Sequence, residues 1–129
     1  MSMLVAFVLA SAPVAAPDEA SEANEITVIA LKMRKGRIKT TYSDNGARNC
    51  QVIRSTGDAE IDAIGCEAMR QCDEANAAAV RAVFDPALPR RDRQARLRDY
   101  RRDVQTPCYF ERRDEMKAAL ARARVGRRP

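Results

Sequence analysis

Histidine and tryptophan are both missing from this chain, and aromatic residues supply only 5% of its 129 positions. Without histidine the commonest general base at neutral pH is gone, and with it the usual nitrogen ligand of zinc. Without bulky aromatics, a core of one small domain must be assembled from short aliphatic side chains, which bury less area each and leave stability thin. Glycine is scarce, with five residues, and neither a phosphate loop nor a dinucleotide fingerprint occurs. The apolar run Met3–Ala10 is only 8 residues long, whereas a bilayer-spanning helix needs about 20. These gaps argue against catalysis, and no cofactor or metal is expected.

What is present begins with that apolar run. Small residues and prolines follow it, with small-x-small sites at Ala10-Ser11-Ala12 and Val14-Ala15-Ala16, so residues 1–16 read as an export signal and the mature protein as periplasmic or secreted. Residues 17–24 are acidic and aperiodic, and read as a flexible spacer. Ile26–Leu31 is β-branched and continuously apolar, which predicts a strand. Two alternating runs, Arg37–Ser43 and Arg48–Arg54, flank Asp44-Asn45-Gly46. A two-residue Asn-Gly loop there would pair Tyr42 with Asn49 and put Cys50 and Val52 on the face opposite Ile38 and Tyr42. A three-residue loop, with Gly46 in the left-handed bulge position, pairs Thr40 with Cys50 and Ile38 with Val52 and gathers the apolar residues on one face, and is favoured.

Asp58 is a good helix N-cap, and Ile61, Gly65, Ala68, Cys72, Ala75, Ala79 and Val83 recur every three or four residues, so one helix is expected over Ala59–Phe84, ended by Asp85-Pro86. Further helices are expected at Arg91–Val104 and Phe110–Arg124, separated by Thr106-Pro107. The resulting fold class is α+β: a hairpin plus one strand packed on a helix as a module over residues 25–85, with a basic helical extension over residues 86–129.

Four cysteines, at 50, 66, 72 and 108, are too far apart for a zinc site. In an exported chain an even number reads as two disulfides. Cys66 and Cys72 cannot pair within one unbroken helix, since their six-residue separation is an axial rise of about 9 Å and a disulfide tolerates a Cα separation of about 7 Å at most. Strand and helix heights do not separate the remaining two pairings. Cys50–Cys66 with Cys72–Cys108 is favoured over Cys50–Cys72 with Cys66–Cys108, because it ties the basic helices back to the module. Four buried thiols in a reducing compartment are the alternative.

The segment Ile38–Tyr42, Asp44-Asn45-Gly46, Val52-Ile53-Arg54-Ser55-Thr56-Gly57-Asp58 and Ile61-Asp62-Ala63-Ile64 resembles part of the C-terminal domain of the TonB family of periplasmic energy-transducing proteins, over residues 37–72. The resemblance implies a strand, hairpin, strand and amphipathic helix in that order, and periplasmic residence. The family's aromatic-rich strand after the helix and its proline-rich, periplasm-crossing region have no counterpart here, so the implication stops short of energy transduction.

Charge is divided unevenly. Residues 1–85 hold 9 Lys/Arg and 12 Asp/Glu, a balance of −3, whereas residues 86–129 hold 14 and 6, a balance of +8. Arg91, Arg98, Arg101 and Arg102 lie away from the apolar stripe Leu97, Tyr100 and Val104, and form a candidate anion-binding ridge for lipid or polysaccharide phosphate. Only Tyr100, Tyr109 and Phe110 could stack on bases, which makes nucleic acid the weaker partner. Two functions are therefore expected in order: a non-enzymatic periplasmic module that meets an envelope protein through a sheet edge or the arginine face, and a cytosolic nucleic-acid binder using residues 90–128.

Overall fold

A computed structural model describes residues 17–128, and side chains from residue 19 onward. The export signal assigned to residues 1–16 lies outside the described residues. Helix α1 spans Pro17–Met33, strand β1 Arg37–Tyr42, strand β2 Arg48–Arg54, α2 Ala59–Ala75, α3 Ala77–Val83, α4 Arg90–Tyr100, a π-helical turn Arg101–Gln105, and α5 Thr106–Gly126. The architecture is α+β, with one two-stranded antiparallel sheet.

The hairpin follows the local chemistry of its turn. Ser43 N donates to Ala47 O and Gly46 N to Ser43 O, leaving Asp44-Asn45-Gly46 as the loop. Gly46 has φ +87°, a conformation that a β-carbon penalises, and a β-carbon there would meet the Phe84 ring at 3.0 Å. Ile38 faces Val52, Thr40 faces Cys50 and Tyr42 faces Arg48, with Ile53 as the extra residue of a bulge.

Asp58 caps α2 by accepting from Glu60 N and Ile61 N, so the Thr56-Gly57-Asp58 turn sets where the helix starts. Gly65 lets the sheet lie directly on α2, since a β-carbon would sit 3.0 Å from Ile38 Cδ1. Cys50 and Cys66 are joined at that contact, with Cα atoms 5.7 Å apart. Cys72 and Cys108 are joined across the α2–α5 contact, with Cα atoms 5.9 Å apart. The apolar core sits where α1, α2 and α5 meet, around Ile29, Ile61 and Ala121, with Ile26, Met33 and Leu120 packed on it. Burying each of the two isoleucines contributes about 1.5–3 kcal/mol.

Four expectations are corrected. Ile26–Leu31 is helix rather than strand, and residues 17–24 are the first half of that helix rather than a spacer. Ile26, Ile29, Ala30 and Met33 fall at i, i+3, i+4 and i+7, and packing that stripe on α5 outweighs the weak strand propensity of the β-branched residues. The expected helix over Ala59–Phe84 divides at Asn76, whose backbone N–H and Nδ2 both donate to Cys72 O, at 3.1 and 2.8 Å. That side-chain bond competes with the helical ladder. Thr106-Pro107 does not separate two helices. The π turn, in which Thr106 N donates to Arg101 O, has already displaced the regular ladder where the proline ring would clash, and Pro107 then sits in the first turn of α5.

Candidate functional site

Asp73 follows Cys72 on α2 and is 6% exposed. Its Oδ1 accepts from Tyr100 OH at 2.6 Å and Gln105 Nε2 at 3.0 Å, while Oδ2 accepts from Tyr42 OH at 2.5 Å and Arg48 Nη1 at 3.1 Å. Burial works to raise the carboxyl's pKa, but the hydrogen bonds from Tyr100, Tyr42, Gln105 and Arg48 outweigh it and hold it below the usual aspartate range. Burial first, and the hydrogen bond to charged Asp73 second, push Tyr42 and Tyr100 well above the usual phenol range. At neutral pH the cluster is an aspartate saturated by four donors beside two protonated tyrosines. It locks the hairpin to α2, α4 and the π turn.

The same π turn redirects the arginine ridge. It places Gln105 in the Asp73 cluster and turns Arg101 toward the hairpin, where Nη2 donates to Thr40 O at 3.0 Å and the guanidinium lies 5.3 Å from the Tyr42 ring centroid. Arg102 is held by Asp99 at 3.1 Å and Asp103 at 2.8 Å. Arg91 and Arg98 are exposed, with no ion pair among the described residues. The four predicted arginines are therefore not brought together at one site.

Of the 14 cationic side chains in residues 86–129, seven form ion pairs: Arg90, Arg102, Arg112, Lys117, Arg124, Arg127 and Arg128. The tightest group joins the end of α5 to α1 and the start of α2. Arg124 Nη2 donates to both Asp58 oxygens, at 2.8 and 2.7 Å, and lies 3.5 Å from Glu60, with Nη1 3.7 Å from Glu25. Arg128 also reaches Glu25, and Arg127 reaches Glu60 at 3.2 Å. Half of the basic charge of the last third is thus spent inside the molecule.

The two edges of the hairpin differ. In the alternating ladder set by the Ser43–Ala47 bond, the main-chain groups of Thr40 point away from β2, and Arg101 satisfies the Thr40 carbonyl. By the same alternation the main-chain groups of Arg48, Cys50 and Val52 point away from β1, and among the described residues they have no hydrogen-bond partner outside the ladder. Val52 and Ile53 beside them are 43% and 51% exposed. The edge of β2 is therefore open, and the Cys50–Cys66 bond fixes that strand to α2 from its other face.

In the sequence Asp73 reads as one of several acids explained by helix capping and solvation, whereas it is buried, and Gln105 carries no signal at all. Their partners are 25 to 32 residues away from Asp73, and no local pattern marks a polar residue flanking an apolar stripe as buried. Among the described residues no group of three or more acidic or cysteine side chains is placed to hold a metal ion, and no helix is long and apolar enough to cross a membrane. All four cysteines are disulfide-bonded, which fits an oxidising, non-cytosolic compartment. No family model matches the chain, and neither a curated protein nor a solved structure matches it.

Proposed function

We propose that the protein is a small exported module of the cell envelope, periplasmic or secreted, that binds a protein partner through the open edge of β2 and performs no chemistry. The observation that carries this is the row of outward main-chain groups at Arg48, Cys50 and Val52, held extended by the disulfide and flanked by exposed Val52 and Ile53. Such an edge is a template for strand addition. The best-organised titratable cluster supports a structural role, because the Asp73 oxygens are already saturated. The order β1, turn, β2 and α2 is compatible with the strand, hairpin, strand and helix order that the resemblance to the TonB C-terminal domain implies over residues 37–72. Internal pairing of the basic residues leaves less charge for a nucleic-acid role of residues 90–128.

Fractionation and a cross-linker test this reading together. A photo-cross-linking residue at Ile53 of the exported protein should form a discrete adduct with one envelope protein, lost in Val52→Pro, which removes an outward N–H and blocks the edge. The same cross-linker at exposed Arg81 should not form it. Recovery of the protein in the cytosol with four reduced thiols, or equal adducts at both positions, would refute the proposal.

A further inference from the structure

A cleft of about 100 Å³ opens where the base of the hairpin meets α2 and α5, with Arg37, Arg54 and Arg113 in its wall beside Tyr109, Thr56 and Asp62. It lies on the opposite side of the hairpin's length from the Asp44-Asn45-Gly46 turn, at the ends of the strands where Arg37 pairs with Arg54. None of the three arginines forms an ion pair among the described residues. Asp62, the one acid in the wall, is taken up by Ser55 Oγ, Thr56 N and Thr56 Oγ1, the last two at 2.7 Å. The cleft thus carries three uncompensated cations against one engaged carboxylate.

Arg113 is the most telling of them. Two arginines have a buried Nε without a hydrogen-bond partner, Arg101 and Arg113. Arg101 still donates through Nη2 to Thr40 O. Arg113 donates to nothing among the described residues and rests on aromatic faces, 4.7 Å from the Phe110 ring centroid and 5.7 Å from that of Tyr109. A half-buried guanidinium without an acceptor is costly, and an anion in the cleft relieves that cost. A second hollow, of about 240 Å³, shares Arg113 and adds Arg34, which extends the positive field, while its Lys117 is paired with Asp114 at 2.8 Å.

We propose that this cleft binds a phosphate group. Its volume suits a small anionic group and falls well short of the roughly 300–1,000 Å³ of pockets for larger ligands. Three arginine forks offer more donors than the two oxygens of a carboxylate can use, and match the oxygens of a phosphate. The group can come from a lipid or polysaccharide headgroup or from a soluble phosphate. The inference goes beyond the β2 edge and does not depend on that edge having a partner.

Calorimetric titration of the full oxidised chain with inorganic phosphate tests it, with acetate as comparator. Saturable binding is expected, weakened about tenfold by Arg113→Gln and by Arg54→Gln, the loss of one charge-assisted contact each, and unchanged by Arg98→Gln on α4. Arg54 is exposed and its side chain forms no hydrogen bond or ion pair among the described residues, so Arg54→Gln keeps the test valid if Arg113→Gln unfolds. Sedimentation with phosphatidylglycerol vesicles in phosphatidylcholine, against phosphatidylcholine alone, identifies the source: capture lost in Arg54→Gln assigns a lipid headgroup, and phosphate binding without capture assigns a soluble ligand. Absence of saturation by phosphate, equal affinity for acetate, or equal loss in Arg98→Gln would overturn the proposal.

Discussion

Removing the two disulfides one at a time should expose how thin the non-covalent core is. Cys50–Cys66 spans a sequence separation of 16 and Cys72–Cys108 one of 36. In the loop-entropy description of the unfolded chain, these closures are worth about 3 and about 4 kcal/mol at 25 °C. The two loops do not overlap, because the first closes at Cys66 before the second opens at Cys72, so each constrains a separate stretch and the terms add. Their sum of about 7 kcal/mol compares with a total of about 5–15 kcal/mol for an ordinary domain. A Cys72→Ala/Cys108→Ala variant should therefore lose about 4 kcal/mol, which lowers the melting midpoint by about 15 °C or more. Loss of the fully buried Cys72 sulfur from the core adds to that effect. A Cys50→Ala/Cys66→Ala variant should lose less, and the fully reduced chain should lie at or near its unfolding transition. Far-UV circular dichroism during thermal and urea unfolding, with intact mass measured without reductant, provides the readout. A reduced chain that melts where the oxidised chain melts would refute the reasoning, as would a larger loss from the shorter loop.

Other perturbations probe the remaining contacts. The Asp73 pKa is lowered by folding, so its stabilisation is present above the unfolded aspartate value of about 4 and should be lost as pH falls through the lower folded value; acid unfolding followed by circular dichroism should lose that component in Asp73→Asn, which should itself destabilise by about 2–4 kcal/mol. Tyr42 and Tyr100 are shifted the opposite way, so their contribution is intact below about pH 10 and fades as pH rises from there through their higher folded values, visible as delayed phenolate absorbance. Gly46→Val should cost about 1–2 kcal/mol or more in urea unfolding, through both the positive φ and the Phe84 ring behind it. Arg124→Ala, which removes the cation shared by Asp58, Glu60 and Glu25 but leaves Lys32, Arg127 and Arg128 beside them, should cost about 1 kcal/mol, and added salt should shrink the difference.

The hairpin and the start of α2 were legible in the sequence because their signals are local. Asp44-Asn45-Gly46 allows a two-residue or a three-residue loop, only the three-residue loop gathers the apolar residues on one face, and its register sends Cys50 to the face that α2 covers at Cys66. The cysteine pairing was legible for a related reason: one pairing was excluded by helix rise alone, and the favoured one of the other two is present. α1 was not legible, because Ile26–Leu31 satisfies a strand template and a helix stripe at once, and only its packing on α5 decides between them. Thr27 shows how a β-branched residue settles there, with Oγ1 donating to Ala23 O at 3.1 Å, one turn back. Pro107 misled for a different reason, since its usual effect on a helix is absorbed by a π turn that nothing local announces.

The charge asymmetry was read as a sign of an external partner, and its first partner is the chain itself. The acidic residues of the first half include Glu25, Asp58 and Glu60, and these meet the last arginines of the chain at one corner of the fold. That corner sets three acids against three arginines and Lys32, so most of its charge is cancelled and it offers little to a polyanion. Three of the cations left over are brought together by topology rather than by sequence. Arg37 and Arg54 belong to the acidic half of the chain, Arg113 to the basic half, and only the closure of the hairpin against α5 puts them in one wall. The basic run is thus compensated at the end of α5, through Arg124, Arg127 and Arg128, and not along α4, where Arg91, Arg93, Arg96 and Arg98 form no ion pair among the described residues, while the cleft is assembled from isolated arginines that no local pattern would have joined.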